Sequence, residues 1–494
     1  MMKKFLTVLF VGMAFCMTSG HAQTNREGKN RHFFQEFRDS IRADFALFRQ
    51  QCMEEFVAFV RNPWKEFEAV PPVPKPLEKP VPPVVIPQQE LDRPIAPRPV
   101  IINEVVEPQP IVPQPQPVEP IKEVPTPKDD VVTFDFYGTA ANVRFNLADR
   151  VTLKGVDMNS VADALLKISS TKYDNLIVDC LALRKQWSLC DWAYLQLLKN
   201  VSDTIAGCGS NEAALLLSYL YLQSGYQMRL ATDGSKLYML YSSKFQIYEK
   251  DSYKLGNDLF YGVEELPNRL YICEATFPKE QSLSLFIPYG QTFAKSDSDN
   301  RTLKSAFYPD LKVHVTVNKH LVDFYNTYPQ SMVDDNFMTR WAMYAQTPLD
   351  EAVKEQLYPQ LSYLLSGHSE LEAVNRLLNL LQTGLEYEYD NKVWGYDRPF
   401  FAEETLYYPY CDCEDRAILL SRLVRDLLHL DTILVYYPGH LAMAVAFANE
   451  VNGDYITYKG RRFTICDPTY IGAPVGKTMP EMDNQTATLI LLNN

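Results

Sequence analysis

The spacing of apolar positions changes character several times along the chain. Between Glu414 and Leu428, residues Ala417, Ile418, Leu420, Leu423, Val424, Leu427 and Leu428 recur at helical intervals. This predicts a buried helix with Cys413 in its first turn. Leu441, Met443, Val445 and Phe447 alternate instead, so a strand opened by His440 is expected after the turn Pro438-Gly439. A further apolar run, Phe463 to Cys466, ends at Asp467, which is followed by Pro468. Upstream, Val353, Leu357, Leu361, Leu364, Leu365, Leu371, Val374, Leu377 and Leu380 predict helices between Leu349 and Gln382. Leu311 to Val317 alternates like a strand.

The N-terminal part follows other rules. Lys3 and Lys4, an apolar run from Phe5 to Met17 and the small residues before Gln23 describe a secretory signal peptide over residues 1–22, too short to span a bilayer. A periplasmic or secreted location is the expectation. In residues 23–70, Phe34, Phe45, Phe56 and Phe67 stand eleven apart, Phe37, Phe48 and Phe59 follow the same step, and Ile41, Cys52 and Pro63 mark a third position. Those intervals place one apolar stripe on a nearly straight helix, which cannot bury it alone. The stripe docks on the body, on a partner helix or a second copy through residues 31–68, or on a membrane surface. The mixed charges of the polar face favour helix association. Residues 71–128 then hold 19 of the 33 prolines, all within 71–127, and no glycine. Polyproline II at about 3.1 Å per residue predicts a semi-rigid spacer of roughly 170 Å.

The chemistry concentrates near the C-terminus. At the start of a helix, unpaired N–H groups favour a thiolate at Cys413, but Asp412, Glu414 and Asp415 oppose it, so a histidine partner is needed. His440 at a strand edge suits proton transfer, and Asp467 beside it would fix the tautomer and stabilise the imidazolium.

Cys413-Glu-Asp-x-Ala417 ahead of a leucine-rich helix, Gly439-His440-x-Ala442 and Asp467-Pro-Thr469 together resemble the transglutaminase-like superfamily of Cys-His-Asp proteins. The lead-in from Glu386 to Asp390 and from Gly395 to Glu404 is similar too. The resemblance covers roughly the last quarter of the chain. It implies an α+β, papain-like core with Cys413 as nucleophile, His440 as base and acid, and Asp467 as orienter. The implied activity is thiol-based peptide or amide hydrolysis or acyl transfer, with protein cross-linking as an alternative. A non-enzymatic, peptide-binding scaffold is the competing class. Cys411 is the rival nucleophile.

An earlier stretch looks like a diverged copy. Gly207 to Leu220 aligns without gaps on Tyr410 to Leu423, Lys236-Leu-Tyr-Met239 on His440-Leu-Ala-Met443, and Arg269 to Phe277 on Arg462 to Tyr470. That register replaces Cys413 by Ser210, His440 by Lys236 and Asp467 by Glu274, and leaves Cys208 opposite Cys411. The expected organisation is therefore two tandem transglutaminase-like units. A non-catalytic one spans 131–290, a connecting region 291–345, and the catalytic unit 346–494. His314, His320, His368 and His429 carry no suggestive neighbours. The net charge of −13 argues against general nucleic-acid binding, and no phosphate loop or dinucleotide fingerprint calls for a cofactor. No metal is expected, because Cys411-x-Cys413 with His440 and Cys466 is a poor zinc spacing. In an exported chain the cysteines invite disulfides, with Cys180 and Cys190 as one candidate pair.

Overall fold

The computed structural model describes residues 49–493 apart from 77–80, 92, 94, 108–113, 119–122, 124–129, 481 and 483–486. The signal-peptide segment and the first members of the phenylalanine repeat lie outside these. The fold is α+β, built on two antiparallel-cored sheets that each receive a buried helix.

In the first, helix Asn211–Gln223 leads into a hairpin of strands Met228–Thr232 and Leu237–Ser243. A second hairpin, Ser252–Leu255 with Asp258–Gly262, pairs onto Leu237–Ser243. Strand Arg269–Ile272 returns to flank Met228–Thr232 on the other side. In the second, helix Cys413–Leu428 leads into the hairpin Thr432–Tyr437 and His440–Val445. The hairpin Asp454–Tyr458 with Arg461–Cys466 pairs onto His440–Val445, and Ala487–Leu491 flanks Thr432–Tyr437. The order of pairing is the same in both.

Burial explains why the second sheet reads as continuous apolar runs. All of His440–Val445 is buried, because Leu441, Met443 and Val445 join the main core while Ala442 and Ala444 join a smaller core on the opposite face with Ile433, Val435 and Ile456. The Cys413 helix is buried around its whole circumference from Cys413 to Val424. It packs on strands Thr432–Tyr437 and His440–Val445 and on helices Thr339–Gln346, Glu370–Gly384 and Ala402–Tyr407.

Two expectations for the N-terminal region are corrected. The described helix, 49–60, ends before Pro63 instead of running on to 68, since proline removes a helical donor. Lys65–Glu68 is a strand antiparallel to Arg269–Ile272, with Phe67 opposite Leu270. Cys52, Phe56 and Val60 are buried, Phe56 packs edge-on to Phe277 at 5.9 Å, and Arg49 pairs with Asp174 at 2.9 Å. Cys52 and Phe56 of the stripe therefore dock on the body of their own chain, whereas Phe59 stays exposed.

The proline-rich segment is not a free spacer over its described residues. Val84–Val85 lies parallel to Tyr470–Ile471, Arg98–Pro99 parallel to Asp454–Tyr458, and Ile102–Val106 parallel to Ala487–Leu491. It supplies both outer strands of the second sheet, positions where a residue without an N–H is tolerated. Arg98 clamps Asp454 with two hydrogen bonds of 2.7 and 2.6 Å, and Ile86, Val100 and Val106 are buried. All eight described cysteines are free thiols, Cys180 and Cys190 included.

Candidate functional site

Asp412 precedes the helix, and its backbone N–H donates to Asp415 Oδ2 at 3.1 Å. Asp415 Oδ1 accepts from Phe400 N–H at 2.8 Å, which ties the helix start to the loop before it. Cys413 is 3% exposed. Its thiol donates to Glu414 Oε2 at 3.3 Å, and the Leu441 N–H reaches its sulfur. Burial, then the charges of Glu414 and Asp412, push its pKa well above the ordinary thiol value; the Leu441 N–H works against them. The resting group is a thiol. Cys411 sits in a two-residue strand beside Glu386–Tyr387, donates to Glu386 O at 3.6 Å and is pushed up to about 11, chiefly by burial.

His440 opens its strand after Gly439, whose φ of 77° needs a residue without a side chain. Its Nε2 lies 2.9 Å from Asp467 Oδ2, while Asp467 Oδ1 accepts the N–H groups of Thr469 and Tyr470 at 2.9 and 3.2 Å. A carboxylate at Nε2 assigns that nitrogen as a donor, and Nδ1 is buried with no hydrogen-bond partner among the described residues. The Asp467 loop is held by two side chains absent from the sequence reading. Gln382 Nε2 donates to the carbonyls of Asp467, Tyr470 and Ala473 at 3.0, 2.7 and 3.0 Å, and Arg416 donates to Pro468 O at 3.3 Å and Leu385 O at 2.9 Å. Their only advance signal is a polar residue inside an otherwise apolar helical face.

Cys413 and His440 line one cavity of about 200 Å³, which Cys411 does not reach. Trp341 and Tyr396 form part of its wall, and four carboxylates complete it: Asp390, Asp397, Asp412 and Glu414. Burial first, then Glu414, raises Asp390 to about 8; Asp412 and Asp397 are raised for the same leading reason. Oxygens of Asp390, Asp397 and Glu414 lie within 4.8 Å of one another, a spacing that fits one shared cation. The zinc alternative does not gather: Cys466 bonds Thr464 O and Cys411 bonds Glu386 O instead. Pro76 also lines the cavity, and Val81 N–H donates to Gly439 O at 2.9 Å, so the proline-rich segment runs past its mouth. A larger cavity of about 430 Å³, lined by Phe245, Ser331 and Arg340 among others, contains neither cysteine nor histidine.

The first sheet holds an altered version of this arrangement. Lys236, just before strand Leu237–Ser243, forms an ion pair with Glu264, just beyond strand Asp258–Gly262. The next N–H, that of Leu237, donates to Asn211 Oδ1 at 2.8 Å, as Leu441 N–H does to Cys413. Asn211, Lys236 and Glu264 thus stand where Cys413, His440 and Asp467 stand. Ser210 is a helix cap accepting from Ala213 N–H, and Glu274 pairs with Lys65. The expected lysine holds its place; the expected serine and Glu274 are corrected, because Arg269–Ile272 occupies the sheet position of Ala487–Leu491, not that of Arg461–Cys466.

No family model, curated protein or solved structure matches this chain.

Proposed function

We propose that this chain is an exported thiol hydrolase or acyltransferase of the transglutaminase-like kind, acting on peptide or amide bonds through Cys413, His440 and Asp467. In this reading the two sheets are tandem units, and the first, with Asn211, Lys236 and Glu264, is not catalytic. The observation that carries the proposal is His440, bonded to Asp467 through one nitrogen, without a partner among the described residues at the other, and sharing a cavity with Cys413.

In the reaction, His440 Nδ1 takes the thiol proton as sulfur attacks the carbonyl carbon. The tetrahedral intermediate collapses to a thioester, the C–N bond breaks, and the imidazolium returns its proton to the departing amine. Water, or a second amine, attacks the thioester with His440 again as base and restores the thiol. Asp467 stabilises the imidazolium throughout.

Iodoacetamide tests this directly. Alkylation should fall on Cys413, rise with pH, and drop by at least about tenfold in His440→Ala. Labelling that is equally slow with and without the imidazole would overturn the enzyme and leave the peptide-binding scaffold. The thiol's hydrogen bond to Glu414 is what that second reading has in its favour.

A further inference from the structure

We propose that the carboxylate-walled cavity beside Cys413 receives an ammonium group of the substrate, so that the amide it acts on carries a free amine close to the scissile carbonyl. This names a substrate class for the reading above and rests on it.

The first argument is a missing cation. Elsewhere in the chain, buried carboxylates meet a guanidinium, as Asp174 does with Arg49, Asp191 with Arg184, Glu280 with Arg229 and Glu404 with Arg398, or have hydrogen-bond donors at both oxygens, as Glu403 and Asp415 do. Among the described residues, only Asp397 of the cavity's four carboxylates pairs with a guanidinium, that of Arg340. Asp390 accepts the backbone N–H of Arg398, and Lys75, whose ammonium lies 3.7 Å over the Tyr396 ring and acts on Asp397, is paired with Glu249 at 3.1 Å. Asp412 Oδ1 and Glu414 Oε1 are buried with no hydrogen-bond partner among the described residues. Buried acid oxygens with neither a donor nor a counter-charge are costly, and these two, unlike those of the other buried acids named, leave room for a donor supplied from outside.

The second argument identifies that cation. Trp341 and Tyr396 belong to the same wall and already take cations of the chain itself over their rings, Arg340 at 4.8 Å and Lys75 at 3.7 Å, so the wall suits organic cations; aromatic faces do not ligate metal ions. The indole N–H of Trp341, a residue 2% exposed, also has no partner among the described residues, so a hydrogen-bond acceptor is missing as well. An amine-bearing amide supplies both the cation and the acceptor. About 200 Å³ accommodates an ammonium together with several methylene groups.

The placement has a chemical consequence. Acting on the Cys413 sulfur are Glu414 from its own helix, Asp412 just before that helix, the Leu441 N–H from the facing strand and Tyr387 from the neighbouring short strand, while His440 lines the same cavity. A bound ammonium offsets the two carboxylates that oppose the thiolate, so the substrate helps to ionise its own nucleophile.

The test uses two chloroacetamides that differ only in a primary ammonium on one and its N-acetyl form on the other, with Cys413 alkylation followed by mass spectrometry. The cationic probe should react about tenfold faster in the full chain, and methylammonium should compete with it alone. Glu414→Gln and Asp390→Asn should each bring the ratio of the two rates toward one, and Glu414→Gln, which removes a charge opposed to the thiolate, should at the same time speed the neutral probe. Equal rates for the two probes, with dependence on His440 intact, would overturn the ammonium site and leave the hydrolase reading standing. Rates indifferent to His440→Ala would overturn both. Protection by micromolar calcium or manganese, with none by methylammonium, would assign the carboxylates to a metal ion instead and overturn the proposal. The competition in the unaltered chain decides the matter even if a substituted chain fails to fold.

Discussion

Asp390 shows how a single buried acid ties the candidate site to stability. Burial, then Glu414, holds its folded pKa at about 8, above the unfolded value. The folded state therefore binds the proton more tightly. The contribution is fully present below the unfolded pKa and disappears as pH rises through about 8. Urea unfolding should show this contribution falling away between about pH 5 and about pH 8, and Asp390→Asn should flatten the decline. A slope unchanged by the substitution would mean the proton is not held there. At this scale the sequence was informative about reactive types and poor about their supports. Cys413, His440 and Asp467 stand at element ends where turn residues and apolar runs announce them. Gln382 and Arg416, which hold the Asp467 loop, look like incidental polar residues in helices, since their partners are backbone carbonyls remote in sequence.

Among the elements, those with a regular period were legible and those defined by pairing were not. Helices Cys413–Leu428, Glu351–Leu365 and Glu370–Gly384 and strands His440–Val445, Arg461–Cys466 and Lys312–Val315 follow the patterns that predicted them. The proline-rich segment was misjudged because proline bars a central strand but not an outer one, and pattern alone does not reveal which edge awaits a partner. Arg269–Ile272 and Arg461–Cys466 were matched because their local sequences are alike, although they hold different places in their sheets. The segment's role as an outer strand is open to measurement. Val100→Ala and Ile86→Ala should each destabilise the chain by about 1–3 kcal/mol in thermal or chemical unfolding. A free spacer would show no effect.

For the whole molecule, one pairing order recurs in two sheets, with Asn211, Lys236 and Glu264 in the first where the second has Cys413, His440 and Asp467; under the proposed reading the first sheet takes no part in the chemistry. The Lys236–Glu264 pair is partly exposed, so Lys236→Ala should cost under about 1 kcal/mol and leave Cys413 alkylation unchanged. A large loss of labelling would give the first sheet a part in the reaction. The path of residues 81–106 has a practical corollary for anyone dissecting the chain. A fragment starting near residue 346 would keep the thiol, the imidazole and the carboxylate, yet it would lose Pro76 from the cavity wall, the tether from Val81 to Gly439 and both bordering strands of its sheet. Such a fragment is an open-sided sheet with sticky margins, and under the proposed reading its selectivity would not report on that of the intact protein.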